Sequence, residues 1–225
     1  GLSPHLWLDP SYSSSFFTDS GKGTAVTTDG AKVGCFADRS GNGFDFVQAT
    51  EADKPMLCKE AGIGNVPSLC YSLTDELEFT GTSGSEISAA NITIFWVWRL
   101  SPEGNHFFLQ GGSGGNEPRL RNNGSATAPY FNWNPFGSES GSGGGVVFSS
   151  SVIAASDLTG SATAPTGVYL EESQTTLMFA GTNNYYSPYW LFEYIVFDSS
   201  LSDANVNKVN SYLGNKHGIS VSNIS

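Results

Sequence analysis

The chain has 225 residues, including 27 Gly, 15 Phe, 9 Tyr and 5 Trp but only 10 Lys and Arg. This composition is typical of short strands joined by many turns, and it argues against a helical protein, which would use more Ala, Leu, Glu and Lys. The formal net charge of −11 disfavours nucleic-acid binding and contact with anionic membranes, since both surfaces would be repelled, whereas neutral sugars would not.

Segments rich in β-branched and aromatic residues, bounded by Gly, Pro, Asn or Ser, predict strands along the chain. They are residues 5–9, 44–49, 76–79, 92–100, 106–110, 129–133, 146–152, 168–172, 176–181 and 190–198. In the segment 92–100 both faces are largely apolar, which predicts a central strand covered on both sides, as in a two-layer sandwich.

One helix is predicted near the C-terminal end, roughly within 201–217. Ser202 is the expected N-cap, Val206, Val209 and Leu213 form an apolar stripe, and Gly218 follows the last turn. The Gly-rich stretch 137–145 is interpreted as a loop, because strands resume directly after it. We therefore expect residues 1–225 to form a single domain.

The segment "FADRSGNGFDFVQAT", residues 36–50, allows three interpretations. A phosphate-binding loop would need a helix after its glycines, and an alternating strand pattern follows instead. A calcium site could use Asp38, Asn42 and Asp45, which carry suitable oxygens. We favour a tight strand connection, in which Gly41, Asn42 and Gly43 adopt left-handed conformations and Asp38 or Ser40 binds backbone N–H groups. No cofactor is therefore expected, with calcium as the fallback.

The three cysteines, Cys35, Cys58 and Cys70, form no CxxC pair that would indicate a metal or redox site. They are compatible with one disulfide and one free thiol, or with three buried thiols that act as small apolar groups. We favour the three thiols.

The two ends of the chain resemble a known superfamily. "LWLDPSYSSSFFTDSGKG", "CFADRSGNGFDFVQATEADKPML" and "LFEYIVFDSSLSDANVNKVNSYLGNKHGI" are similar to motifs of the laminin-G-like, concanavalin A-like lectin/glucanase superfamily, in the branch common in phage virion and bacterial surface proteins. The resemblance implies an all-β, two-sheet antiparallel jelly-roll sandwich with a short C-terminal helix. It does not imply one function, because this fold hosts lectins, glycosidases and structural modules.

Glycosidases of this fold place carboxylates two residues apart on one strand, and no E-x-D-x-E pattern occurs here. Glu76 and Glu78 have the right spacing, but their strand is expected to be a solvated edge. Glu193 stands alone in an apolar strand, where we expect it to accept hydrogen bonds and hold the closing helix. His5, His106 and His217 lack zinc-site spacing. We therefore predict that the protein is not an enzyme.

Two segments, 130–134 and 183–189, combine aromatic rings with amides, as sugar-binding loops do. Aromatic rings stack on the C–H faces of sugars, and amides bind the sugar hydroxyls. We expect Trp133 and Trp190 to be core residues. Tyr185, Tyr186 and Tyr189 cannot all point inward, so exposed rings are expected among them. Arg119 and Arg121 share a face if extended and could pair with an acidic sugar or with the protein's own carboxylates. The candidate ligand-binding residues are Tyr130, Asn132, Trp133, Asn134, Asn183, Asn184, Tyr185, Tyr186, Tyr189, Arg119 and Arg121.

These observations predict a non-catalytic adhesion or carbohydrate-binding domain on a phage virion or a bacterial surface, such as a fibre, decoration or receptor-binding module. Its partners would be a glycan or host-surface receptor and other virion or surface subunits, without nucleic-acid binding or membrane insertion. A purely structural module that makes protein–protein contacts is the alternative, and a glycoside hydrolase is the second alternative.

Overall fold

The structure is a computed structural model. It describes residues 1–59, 66–72, 75, 77–79, 87–88, 93–100, 106–111, 119–122, 145–152, 156–163, 169–170, 177–179, 189–199 and 201–218. The described part is mostly strands, with one α-helix close to the C-terminal end.

The strands, in chain order, are β1 (Leu6–Leu8), β2 (Phe16–Phe17), β3 (Cys35–Phe36), β4 (Phe46–Val47), β5 (Met56–Cys58), β6 (Ser68–Tyr71), β7 (Leu77–Phe79), β8 (Ile87–Ser88), β9 (Thr93–Leu100), β10 (His106–Gly111), β11 (Arg119–Asn122), β12 (Gly145–Val152), β13 (Ser156–Thr163), β14 (Tyr169–Leu170), β15 (Leu177–Phe179) and β16 (Tyr189–Phe197). The helix α1 spans Asp203–His217, and short 3₁₀ turns occupy Ser13–Ser15 and Glu51–Asp53.

Two seven-stranded sheets organise the described strands. The first has the order β13-β12-β9-β16-β6-β5, with β1 also paired to β16, and the second has the order β11-β10-β15-β7-β4-β3-β2. Strands β8 and β14 form a separate pair. The described pairings are antiparallel except for β12 with β9, which is possible because the chain visits β10 and β11 of the second sheet in between. The prediction of antiparallel sheets with a short C-terminal helix is confirmed at this level.

Most predicted strands are present with slightly different ends, and the segment 129–133 lies outside the described residues. The structure adds β2, β3, β5, β6, β8, β11 and β13, which the strand prediction did not include. Most of them are two to four residues long, too short to show alternation. The longer β13 has the sequence SDLTGSAT, whose polar residues give no strand signal.

Helix α1 lies where the apolar stripe predicts it. Ser202 is the N-cap in extended conformation, although its side chain makes no capping bond, and Gly218 closes the helix with φ +65°. Val206, Val209 and Leu213 are buried in one cluster with residues of β9 and β16, including Phe95 and Phe197. The helix therefore covers one face of the first sheet. No helix among the described residues is long and apolar enough to span a membrane.

The expectation of three free thiols is wrong. Cys58 and Cys70 form a disulfide, with their Cα atoms 5.9 Å apart. The register of β5 on β6 sets Cys58 opposite Ser68, so Cys70 is its diagonal neighbour within bonding reach. Cys35 remains a buried free thiol, and burial raises its pKa to about 12.

Candidate functional site

The corner between β3 and β4 is organised by the carboxylate of Asp38. Its Oδ1 accepts the backbone N–H groups of Trp7 (2.9 Å) and Ser40 (2.8 Å). Its Oδ2 accepts the Ser40 hydroxyl (2.6 Å) and the Phe44 N–H group (3.1 Å). Asp38 therefore closes the turn and also attaches the turn to β1.

The glycines of this corner serve the backbone conformation. Gly41 and Gly43 have φ values of +94° and +80°, in the left-handed region that favours glycine. Asn42, which was expected to share this conformation, has no positive φ, and its side-chain amide donates to the His5 carbonyl at 2.7 Å instead. The next element is the strand β4, which agrees with the exclusion of a phosphate loop. The segment is a strand connection stabilised by an aspartate.

The fallback calcium ligands already have protein partners. Asp38 uses both oxygens as described, Asp45 Oδ1 accepts the Asp38 N–H group at 2.9 Å, and Asp45 Oδ2 pairs with Lys22. Within the described residues, no group of three or more His, Cys, Asp or Glu side chains could hold a metal ion. That the fold needs no metal remains a prediction.

Removing divalent ions should leave the melting temperature unchanged, because protein donors already satisfy Asp38 and Asp45. Thermal unfolding in EDTA, compared with the same buffer plus calcium, measures this. A fall of several degrees that added calcium reverses would contradict this prediction and leave Asp38, Asn42 and Asp45 as the first residues to test as calcium ligands.

The second cluster of polar groups surrounds Glu193 of β16, whose side chain is completely buried. Its Oε1 accepts the indole N–H of Trp7 (2.8 Å) and the hydroxyl of Tyr212 (3.0 Å). Its Oε2 lies 2.8 Å from Lys216 Nζ and 2.8 Å from His217 Nε2. Three of these four partners belong to α1, so Glu193 attaches the helix to the sheet, as the sequence predicted.

A second buried carboxylate, Asp9, continues the same cluster. Its Oδ1 accepts the N–H (2.9 Å) and hydroxyl (2.6 Å) of Ser11 and lies 2.7 Å from Lys216 Nζ. Its Oδ2 pairs with Arg39 at 2.9 Å. The Arg39 guanidinium also lies 3.1 Å from the ring centre of Tyr12 and 4.6 Å from that of Trp7. Lys216 therefore bridges two carboxylates from different parts of the chain.

The ion pairs and hydrogen bonds of this cluster indicate a structural role. Two carboxylates, Asp9 and Glu193, are matched by two cations, Lys216 and Arg39, which offsets the large cost of burying charge. Each of the four carboxylate oxygens has a protein partner. A general acid or base must instead be open to its substrate. The arrangement favours holding β1, β16 and α1 together over acid–base catalysis.

Two tyrosines, one in β16 and one in α1, have pKa values above the ordinary value. Burial raises the pKa of Tyr212 above its ordinary value, and the charges of Glu193 and Asp9 raise it further. Burial alone raises the pKa of Tyr194. Both rings therefore remain neutral in the folded protein at pH values where an exposed tyrosine has ionised.

Stability should fall as the pH rises above about 10, the ordinary tyrosine pKa. Above that pH the unfolded chain has lost protons that the folded chain keeps on Tyr194 and Tyr212, so the free energy of unfolding decreases. Urea unfolding at a series of alkaline pH values should show a shallower decline for Tyr212→Phe. The exposed Tyr12, changed to Phe, is the control, and an equal change in slope for both variants would contradict the assignment.

The predicted ligand-binding residues are only partly within the described structure. Arg119 and Arg121 both lie in β11, the outermost described strand of the second sheet. Tyr189, expected in a loop, instead begins β16, with its backbone paired to Tyr71 and Leu100, because the strand pattern extends further back than expected. The described members therefore lie on two different sheets. The others lie outside the described residues: Tyr130, Asn132, Trp133, Asn134, Asn183, Asn184, Tyr185 and Tyr186.

Trp190, expected to be a core residue, is partly buried and packs against the cluster of α1, β9 and β16. Sequence reasoning did not connect Glu193 with Asp9, Arg39 or Lys216. The available signal was an acidic residue within the apolar segment 190–198, which requires buried partners. Those partners are distant in the sequence, so the signal does not identify them.

No family model matches the chain, and no curated protein or solved structure is significantly similar to it.

Proposed function

We propose that the chain is a jelly-roll sandwich of the concanavalin A-like superfamily, in the branch found in phage virion and bacterial surface proteins. The contacts between its motifs support this proposal. The residues that carry the resemblance, from "LWLD", "ADRSGNG" and the C-terminal segment, contact one another through Asp38, Glu193 and Lys216. Motifs that are far apart in sequence but adjacent in space are what a shared fold would require.

Within that fold, the protein serves adhesion or carbohydrate binding and performs no catalysis. The observation that carries this proposal is the enclosure of Asp9 and Glu193, whose oxygens are all occupied by protein donors. A glycosidase would need two carboxylates open to a sugar. Contact with a glycan is assigned to the aromatic and amide segments 130–134 and 183–189.

Two further properties agree with a location on a virion or a cell surface. The disulfide between Cys58 and Cys70 suits an oxidising environment outside the cytosol. The net charge of −11 keeps the protein away from nucleic acid and favours solubility.

A glycan array on the isolated chain tests this function, with Tyr186→Ala as the informative variant. Loss of one stacking ring should weaken binding by about 1–3 kcal/mol while the melting temperature stays nearly constant, by analogy with aromatic stacking on other ligands. Tyr12→Ala is the matched control, because this tyrosine is exposed and lies outside both segments.

Equal binding by Tyr186→Ala and the parent would remove the segment 183–189 from the site. If the parent binds no glycan and its solution mass is that of an oligomer, the structural alternative replaces the adhesion proposal.

A further inference from the structure

A pocket of about 310 Å³ lies between the N-terminal segment, β16 and α1. Its wall includes Leu2, Trp7, Phe197, Val209 and Tyr212, and Lys208 is the single charged residue that lines it. Ligand pockets in proteins span about 300–1,000 Å³, so this one is the size for a small molecule.

The two largest rings of the wall are fixed with their polar atoms engaged elsewhere. The Trp7 indole N–H and the Tyr212 hydroxyl both donate to Glu193. The two rings meet edge to face, with centres 6.3 Å apart. Because their donors are bound to Glu193, the rings offer a ligand only carbon and π surface. The hydrogen bonds to Glu193 therefore also make this side of the pocket apolar.

Lys208 gives this apolar pocket a positive charge. Its Nζ donates a hydrogen bond to Asn205 Oδ1 at 3.3 Å, and within the described part of the chain it makes no ion pair. The carboxylate nearest to the lining in sequence, Asp198, pairs with His5 at 3.4 Å. In a protein with 21 acidic and 10 basic residues, most described lysines are paired with carboxylates. An unpaired lysine beside an apolar pocket is complementary to an anion.

We propose that this pocket binds a small amphipathic carboxylate, whose apolar body packs against Trp7 and Val209 while its carboxylate pairs with Lys208. A protein partner fits less well, because stable protein interfaces bury more than about 1,000 Å². The pocket lining offers too little apolar surface for that, since Leu2 and Tyr212 are its only large exposed apolar residues within the described structure. This site is distinct from the segments assigned to glycan and does not depend on that function.

Titration calorimetry with octanoate, below its micelle concentration, tests the proposal, and 1-octanol is the uncharged match. Octanoate should bind one-to-one and shift the NMR signal of the Trp7 indole N–H. Lys208→Glu should weaken octanoate binding about tenfold, because an attraction becomes a repulsion, and should leave octanol binding unchanged. Lys59→Glu, at an exposed lysine outside the pocket with no ion pair in the described structure, is the control and should change neither.

Three results would overturn the proposal. The first is an absence of octanoate binding to the native protein. The second is equal octanoate affinity in Lys208→Glu. The third is an equal loss in Lys59→Glu, which would make the effect one of overall charge. Glycan binding is read in a separate assay, so failure here leaves the adhesion proposal standing, and the reverse also holds.

Discussion

Replacing Glu193 with Ala should destabilise the protein by about 3–5 kcal/mol, the usual cost of removing one partner from a buried ionic network. The change leaves His217 and the Trp7 indole without their acceptor and leaves Lys216 with only one of its two carboxylates. Urea unfolding measures the free energy. Hydrogen exchange should show that amides of α1 lose protection first, because three of the four Glu193 partners lie on that helix.

Glu51→Ala is the matched control for this experiment. Glu51 also pairs with a lysine, Lys54, at 2.7 Å, but its side chain is 73% exposed. Its loss should leave the free energy of unfolding nearly unchanged, because solvent screens such surface pairs. Similar small losses in both variants would show that the Glu193 cluster does not hold the helix. Glu193→Gln, which keeps the shape and removes the charge, should fall between the two.

Replacing Gly34 with Ala should be nearly as damaging, with a loss of roughly 3 kcal/mol or more, because overpacking against fixed backbone cannot relax cheaply. A Cβ at this position would lie 2.1 Å from the Thr18 carbonyl oxygen. The backbone cannot move away easily, since Gly34 N–H donates to Phe17 and Gly34 C=O accepts from Gln48, each at 2.9 Å. Thermal and urea unfolding both report the loss.

Gly23→Ala provides the comparison, because a Cβ on Gly23 would have no heavy atom within 4 Å and its φ is not positive. We expect that variant to be neutral, or slightly more stable through reduced freedom of the unfolded chain. If Gly34→Ala is as stable as Gly23→Ala, the backbone at Gly34 does not lie as close to the Thr18 carbonyl as the structure shows.

The sequence alone determined that the protein is rich in strands, where α1 lies, and that a tight strand connection follows Asp38. Each follows from short-range chemistry. The stripe of Val206, Val209 and Leu213 depends only on helical periodicity, and the Asp38 turn depends on atoms within six residues. The role of Glu193 in holding the helix was also foreseeable, since a carboxylate in an apolar strand needs donors.

The tertiary structure alone decided which distant groups meet. Asp9 and Glu193 are 184 positions apart, and only the pairing of β1 with β16 and the return of α1 bring Lys216 between them. The same holds for the Cys58–Cys70 disulfide, which depends on the register of β5 on β6, and for Gly34, which has an ordinary φ and reveals its constraint only beside Thr18. The physical reason is that periodicity and capping act over a few residues, whereas strand register and helix docking set contacts between segments whose separation along the chain carries no local signal.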